Sequence, residues 1–344
     1  MVGRSTLTVS LPTSWIKKVG LKKGDFVAIE VEKDGSLRII EDSRISRAGM
    51  SKICTIKSDL CKSKKILERL IVASYAKGHD TIRIISSDRI SSENLQNIRS
   101  AELNLMGLSI VEETTSSITL QCSIDPASLP LDLVIRRLYV LYSTMCDEAI
   151  QALLTSNIDL AKEAQRRERE ANMMYALLLR LLNQAQVSPT ILKKIGIYNT
   201  EDIIYIFYIS SALERMADWA FKIAEDVTKI EESGITISKN IEERIDDYNK
   251  KIKDNCEMVM KSLFTYDIEM ANDAINNFKE KFESKAYEII NELYLKKIFH
   301  GIGEIRQIIF ALRRIGEISV SIAETVIDRA IEKNKISSVE PTRT

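Results

Sequence analysis

The chain has 344 residues, with 49 Lys and Arg against 49 Asp and Glu, so its overall charge indicates no polyanionic or polycationic partner. Its two histidines exclude a histidine-rich metal site, and its five scattered cysteines, without a Cys-x-x-Cys pair, indicate buried thiols in a reducing compartment. Hydrophobic residues make up 45% of the chain while glycine and proline are few, which favours long helices around real cores in more than one domain.

The chain contains no segment typical of export or membrane insertion. No long apolar run follows Arg4, as a signal peptide requires. The most apolar window, residues 203–213, is about half a bilayer span and runs into charged Glu214, Arg215 and Asp218. We therefore expect a soluble cytoplasmic protein that is not integral to a membrane.

The first forty residues read as one compact unit. The elements expected in order are a strand over residues 5–10, a helix opened by Pro12 or Thr13, a left-handed cap at Gly20, a turn at Lys23-Gly24-Asp25, and a hairpin of residues 26–31 and 36–40 around Asp34-Gly35. A unit of this size buries too little surface to be stable alone, and it has no disulfide or metal. We therefore expect it to dimerise.

The order strand, LPxxW, short helix, GLKKGD and hairpin resembles the AbrB/SpoVT family of swapped-hairpin DNA-binding domains, over residues 1–47 only. The resemblance implies a dimer that exchanges hairpins and binds DNA through basic residues on the dimer face. The residues that it implies for DNA contact are Arg4, Lys17, Lys18, Lys22 and Lys23.

The charge of this segment agrees with DNA contact, since residues 1–47 hold nine Lys and Arg against six Asp and Glu, and phosphate contacts need clustered basic groups. The alternative interpretation is that the lysines only solvate a short helix and that the unit serves dimerisation alone.

Residues 50–125 predict a small α/β domain. The expected order is a strand over 50–56, a helix capped by Ser58-Asp59 and running to Lys77, a strand over 81–85, a helix over 93–106 and strands over 108–113 and 117–122. No glycine-rich phosphate loop follows any of these strands, so this segment indicates a fold class without indicating a task.

After Pro126 and Pro130 nearly everything reads as helix, and the helices repeat. With a shift of 99 positions, segment 203–227 recurs as 304–327, with Asp218 aligned to Glu317 and seven identical residues, Ala212, Leu213, Arg215, Ile223, Ala224, Glu225 and Val227. An earlier helix recurs with a shift of 110, so the first copy carries an extra loop, residues 184–197. Two tandem three-helix bundles are therefore predicted over 128–336, as copies 131–230 and 237–336.

The helix segment LERMADWAFKIAED, residues 213–226, and the segment SNIDLAKEA, residues 156–164, resemble the PhoU family of phosphate-uptake regulators. The resemblance covers about 200 residues, and its helix occurs in both copies. It implies two tandem three-helix bundles, each with an acidic pair spaced four residues apart. Joined to the N-terminal unit, it resembles an archaeal-type phosphate-uptake regulator.

The acidic pair of the first copy is Glu214 and Asp218, which lie on one face of a helix. Two like charges in a partly apolar setting require a cation, a proton or open water. The resemblance implies iron, zinc or another divalent cation on such pairs, and oxygen ligands also suit Mg²⁺, Ca²⁺ or Mn²⁺. The alternative interpretation is a hydrated or ion-paired acidic stripe, with Arg215 satisfying one carboxylate.

The second copy departs from this pattern because Arg313 replaces the first acid and leaves Glu317 alone. We expect this site to be lost or converted to an Arg313–Glu317 salt bridge. Glu225 and Glu324 are weaker candidate ligands on the same helices.

The sequence shows no nucleophile paired with a base, no phosphate loop and no cysteine–histidine cluster, so nothing in it supports catalysis. The sequence predicts a mainly α protein with an N-terminal β swapped hairpin and a small α/β module, acting as a dimeric DNA-binding regulator of phosphate uptake. The alternatives are a PhoU-type adaptor on a phosphate transporter or signalling partner, with the hairpin serving only dimerisation, and a metal-binding scaffold.

Overall fold

The computed structural model describes residues 8–31, 35–41, 52–295 and 301–331. The chain divides into two compact units, Met1–Lys52 and Ile53–Thr344. The predicted fold class is confirmed, because in the described ranges long helices dominate and the β structure forms a two-stranded and a four-stranded sheet.

The first unit contains a short helix and a hairpin. Helix α1 spans Thr13–Val19, and strands β1 (Val27–Val31) and β2 (Leu37–Glu41) pair antiparallel with Val31 opposite Leu37. The predicted cap is confirmed, since Gly20 has φ 79° and donates its N–H to the Ile16 carbonyl. Left-handed backbone of this kind favours glycine because it has no Cβ.

The strand predicted over residues 5–10 is not found where the structure describes it. Residues 8–10 belong to no strand, and residues 5–7 lie outside the described part. A strand needs a neighbour for its ladder hydrogen bonds, and the sheet described in this unit contains only β1 and β2.

The second unit begins with the α/β module. Its elements are β3 (Ile53–Lys57), a 3-10 turn (Ser58–Leu60), α2 (Ile66–Ala76), β4 (Thr81–Ile85), α3 (Ser92–Asn104), β5 (Leu108–Glu113) and β6 (Ser117–Cys122). The strand order is β3-β4-β6-β5, parallel between β3 and β4 and antiparallel elsewhere. Buried side chains of both helices and of the sheet form one core.

The helix predicted from Ser58 begins instead at Ile66. The Asp59 carboxylate does not cap a helix, because it accepts hydrogen bonds from the Ser86 hydroxyl (2.7 Å) and the Ser87 N–H (2.8 Å). This long-range contact holds the segment after β3 against the end of β4.

The helical half consists of helices over both of the segments predicted as repeat copies. The first copy comprises α4 (Leu131–Thr155), α5 (Ile158–Val187), a short α6 (Pro189–Lys194) and α7 (Asp202–Glu232). The second comprises α8 (Lys239–Thr265), α9 (Ile268–Asn276), a π-helical turn (Asn277–Phe282), α10 (Glu283–Leu295) and α11 (Ile302–Ala330). The extra segment 184–197 is therefore not a plain loop, since it contains the end of α5 and all of α6. Residues 332–336 of the predicted second copy lie outside the described part.

The two copies share one hydrophobic core. Asp202, the first residue of α7, pairs with Arg329 in the last turn of α11, with the Nε–Oδ1 distance at 3.0 Å. Trp219 of α7 meets Phe310 of α11 edge to face, with ring centroids 5.6 Å apart. The repeated helices α7 and α11 are thus antiparallel neighbours along their length.

The α/β module is fixed to the helical half by Arg180 of α5, a side chain only 1% exposed. Its guanidinium donates to the carbonyls of Tyr75 (3.1 Å) and His79 (2.7 Å), which lie at and just beyond the end of α2. It also contacts the Asp80 carboxylate at 2.7 Å. A cation at the negative end of a helix dipole, with its donors satisfied, is a stable arrangement.

Candidate functional site

Glu214 and Asp218 lie on the outer face of α7. The neighbouring positions Leu213, Met216 and Ala217 point into the core, so the helical period places the two acids together at the surface side. Glu214 is half-buried and Asp218 is exposed. Within the described residues, neither carboxylate has a hydrogen-bond or ion-pair partner.

The surroundings of both carboxylates favour their protonated forms. Desolvation is the largest cause that raises the pKa of Glu214 to about 7, followed by repulsion from Asp218. Although Asp218 is exposed, desolvation by its neighbours and then repulsion from Glu168 raise the pKa of this carboxyl as well. Two neighbouring carboxyl groups with raised pKa favour a bound cation or proton.

Glu168 of α5 is the member of this acidic cluster that sequence reasoning missed. Its charge contributes to the raised pKa of both Glu214 and Asp218, and its carboxylate accepts a hydrogen bond from the Asn172 amide at 2.7 Å. Only the packing of α5 on α7 brings it near. The sequence contained one signal for Glu168. The repeat shift of 110 residues aligns it with Phe278, so the first copy has a charged residue at a position that is apolar in the second copy.

The donor set limits which cation this site could hold. In the described part of the chain, no three His, Cys, Asp or Glu side chains are grouped closely enough to enclose a metal ion. Two carboxylates suit a cation that keeps several water ligands, such as Mg²⁺ or Mn²⁺. They do not provide the closed four-ligand set of a structural zinc site.

The weaker candidate ligands are engaged by lysines. Glu225 pairs with Lys222 at 2.8 Å, and Glu324 pairs with Lys279 at 3.4 Å. The structure therefore does not add either of them to the Glu214–Asp218 pair. Arg215 lowers the pKa of Glu214 through its charge, but its guanidinium Nε donates to the Ser211 carbonyl at 3.3 Å.

In the second copy the expected salt bridge is present. Arg313 contacts Glu317 at 2.7 Å and Glu283 at 3.4 Å, and Glu317 also pairs with Arg314. The Arg313 guanidinium further donates to the Tyr287 hydroxyl at 2.5 Å. The charge of Glu317 is thus neutralised from within the protein.

A surface pocket of about 270 Å³ adjoins the acidic pair of the first copy, lined by Arg215, Asp218, Trp219 and Lys222. Trp219 is half-buried and packs against the Phe310 ring. Asp218 thus belongs to the acidic cluster and also lines this pocket.

The second candidate site is the basic face of the first unit. Lys17, Lys18, Lys22 and Lys23 are all exposed, two in the last turn of α1 and two in the turn after it. The Asp25 carboxylate accepts the Lys22 N–H at 2.7 Å and Gly24 has φ 100°, which fixes the GLKKGD turn. Arg4 lies outside the described residues.

The same unit leaves large apolar side chains uncovered. Phe26 is 80% and Val31 75% exposed, and α1 buries no residue. Val9, Ile29 and Leu37 are also largely exposed. The described residues of this unit therefore expose apolar surface on both helix and hairpin and do not form a core that buries it.

Two family models match the chain. Residues 135–227 match the model described as the PhoU domain. The chain carries a PhoU domain. The match covers the first helical copy, including Glu168, Glu214 and Asp218, and ends before the second. Residues 2–46 match the model described as antidote-toxin recognition MazE, bacterial antitoxin, so the N-terminal unit is of the MazE/AbrB type.

Solved structures that resemble the chain include two proteins of the PhoU type, while no curated protein sequence matches it significantly. PhoU from Pseudomonas aeruginosa is 19% identical, with a TM-score of 0.49 over 57% of this chain and 93% of that one. A protein of Shewanella oneidensis MR-1 described as a PhoU-like phosphate regulatory protein is 11% identical, with a TM-score of 0.45 over 59% of this chain and 97% of that one.

None of the helices in the described ranges is both long enough and apolar enough to cross a lipid bilayer.

Proposed function

We propose that this protein is a dimeric, non-enzymatic, DNA-binding regulator of phosphate uptake in the cytoplasm. The observation that carries the proposal is the joining of a PhoU domain to a MazE/AbrB-type unit that exposes four clustered lysines. Exposed Lys17, Lys18, Lys22 and Lys23 supply the positive charge that contact with DNA phosphates requires.

The N-terminal unit acts as the dimerisation element. Burial of apolar surface is worth about 25 cal/mol per Å², so exposed side chains such as Phe26 and Val31 provide a strong drive to associate. A second copy is the partner that matches this surface in the swapped-hairpin arrangement. Dimerisation would place two lysine clusters on one particle and strengthen DNA binding through two linked contacts.

The PhoU domain acts as the sensing or partner-binding element. Its Glu214–Asp218 pair would hold a hydrated divalent cation, with Glu168 contributing negative charge. Two carboxylates are a better ligand set for Mg²⁺ or Mn²⁺ than for an iron or zinc cluster. When bound, the cation would neutralise the cluster, and the chain's own Arg313 supplies that neutralisation in the second copy.

The second candidate function is an adaptor without DNA binding, which acts on a phosphate transporter or a signalling protein. The matched PhoU domain favours it, and the solved relative from Shewanella oneidensis is described as a phosphate regulatory protein. In this case the N-terminal unit would only dimerise the chain.

DNA binding separates the two functions. Binding of the full chain to DNA upstream of its phosphate-transport genes should weaken steeply between about 50 and 200 mM salt, because phosphate contacts release counterions. The variant with Lys17, Lys18, Lys22 and Lys23 changed to Gln should lose at least about tenfold in affinity and a large part of the salt slope. The measurement is fluorescence anisotropy, with light scattering to verify the dimer.

The control variant changes four other exposed lysines to Gln, Lys62, Lys64, Lys65 and Lys77 of the α/β module. It removes the same net charge and should retain affinity. Equal loss in both variants would mean that the N-terminal lysines have no special role. No binding by the parent at either salt concentration would favour the adaptor.

A further inference from the structure

Strand β3 forms one edge of the four-stranded sheet, and among the described residues its single neighbour is β4. The N–H and C=O groups on the outer side of an edge strand are available to another strand. The exposed residues Ile53, Thr55 and Lys57 alternate with Cys54 and Ile56, which face the core. Ile53 is 58% exposed, so the outer face of this strand carries a large apolar side chain.

The opposite edge differs. Strand β5 contains a register irregularity between Ile110 and Glu112, and two consecutive glutamates end it. Bulges and charges of this kind hinder the pairing of a sheet edge with another strand. Strand β3 has a regular ladder with β4, without proline, bulge or acidic residue. Of the two edges, β3 is the one suited to pairing.

We propose that β3 pairs antiparallel with β3 of a second copy of this chain, joining the two α/β modules into one eight-stranded sheet. A register centred on Thr55 pairs all five residues of the strand. It places Thr55 opposite Thr55, Cys54 opposite Ile56, and Ile53 opposite Lys57.

The chemistry of this register is self-complementary. No like charges face each other, because the lysine of each strand lies opposite Ile53 of the other, and an alkyl stem packs well on an aliphatic side chain. Cys54 and Ile56 meet on the side of the sheet that the helices cover. A register centred on Lys57 would instead oppose two lysines and would pair fewer residues of the strand.

A second molecule of this chain is the expected partner of the β3 edge, because the hairpin unit precedes β3 in the sequence. Only eleven residues, 42–52, separate the end of the hairpin at Glu41 from the strand, and the hairpin unit has the uncovered apolar surface that the proposed dimer would bury. A dimer formed there tethers two β3 strands on short segments, which raises their effective concentration to about the millimolar range. A five-residue ladder that is weak between free molecules then forms within the dimer. The inference therefore rests on the proposed N-terminal dimer.

Cysteine cross-linking of the full chain tests the pairing. Facing residues in an antiparallel ladder have Cα atoms about 4.5–5.5 Å apart, within the range of a disulfide. In a Cys54→Ser background, Thr55→Cys should form an interchain disulfide under mild oxidation. Gln121→Cys is the matched control, because it is exposed on inner strand β6, two strands from the edge. Its symmetry mate would lie about 24 Å away, beyond disulfide reach.

A charge exchange in the Thr55→Cys protein tests the register. Ile53→Lys places a lysine opposite Lys57 and should slow cross-linking several-fold. The added change Lys57→Glu creates opposite charges at the same positions and should restore the rate. Equal rates in all three proteins would overturn the register centred on Thr55.

Light scattering separates the possible failures. A dimeric protein whose Thr55→Cys variant does not cross-link would overturn the β3 pairing and leave the N-terminal dimer in place. Such a result would leave a strand of another protein as the candidate partner of the β3 edge. A monomeric protein would overturn the N-terminal dimer and the pairing together.

Discussion

Arg313 Nη2 lies 2.7 Å from Glu317 Oε1, at the two helix positions that Glu214 and Asp218 occupy in the first copy. One repeated helix thus carries, in one copy, two carboxylates without a partner in the described part of the chain and, in the other copy, an internal ion pair. The second copy provides its own cation on a side chain. The first copy leaves room for a cation or proton from solution.

The first prediction concerns cation binding. Glu214→Gln combined with Asp218→Asn should abolish binding of Mn²⁺ by the full chain, because both charged oxygen donors are removed at nearly constant shape. Isothermal titration calorimetry measures the loss. Glu168→Gln alone should weaken binding moderately, since Glu168 acts through its charge on the pair.

The control for this prediction is Glu317→Gln. Glu317 is engaged by Arg313 and Arg314, so its change should leave Mn²⁺ affinity unchanged. Retention of Mn²⁺ by the double variant would place the cation elsewhere in the chain.

The second prediction concerns pH. Glu214 has its pKa raised from 4.5 to about 7, so protons compete with the cation near neutrality. Mn²⁺ affinity should rise about tenfold between pH 6 and pH 8 through this group, and Glu214→Gln should remove that part of the dependence. Calorimetry at both pH values measures it, and an affinity independent of pH would contradict the assignment.

The same shift predicts the pH dependence of the cation-free protein. The folded state binds the Glu214 proton more tightly than the unfolded state does, so stability falls as pH rises from 4.5 through about 7. At pH 8, Glu214→Gln should therefore be more stable than the parent. Since the side chain is half-exposed, we expect a gain of about 1 kcal/mol, measured by urea denaturation with chelator present.

The third prediction concerns Arg180, which joins α5 to the end of α2. Arg180→Met should destabilise the second unit by about 3–5 kcal/mol, because it removes the buried guanidinium that donates to two carbonyls and pairs with the Asp80 carboxylate. Urea denaturation measures the change. Arg137→Met is the comparison, since its pair with Glu170 is exposed and should be worth less than about 1 kcal/mol. Equal effects would mean that Arg180 does not hold the module in place.

The fourth prediction compares two glycines of α11. A Cβ at Gly316 would lie 2.1 Å from the Phe278 ring, so Gly316→Ala should cost about 1–3 kcal/mol by overpacking. A Cβ at Gly303 meets no atom within 4 Å, so Gly303→Ala should be neutral or stabilise the helix by up to about 1 kcal/mol. Thermal unfolding compares the two, and a stable Gly316→Ala variant would mean that Phe278 readily moves aside.

Sequence periodicity located most of the secondary structure, and each failure has an identifiable physical cause. Strand 81–85 and the turn at Gly20 were found because their patterns depend on neighbouring residues only. The helix expected from Ser58 starts at Ile66 because Asp59 bonds to Ser86 and Ser87, far along the chain. The helix α6 was missed because its six residues are too few for a hydrophobic period to be recognised.

For the acidic site, the sequence alone determined the pair, because residues four apart on a helix share a face wherever the helix packs. It also determined that the second copy has lost its pair, through Arg313. Only the tertiary structure brought Glu168 beside Glu214 and Asp218, and placed Glu283 and Tyr287 in contact with Arg313. These contacts depend on the packing of one helix on another and on side-chain rotamers, which no periodicity within a single helix encodes.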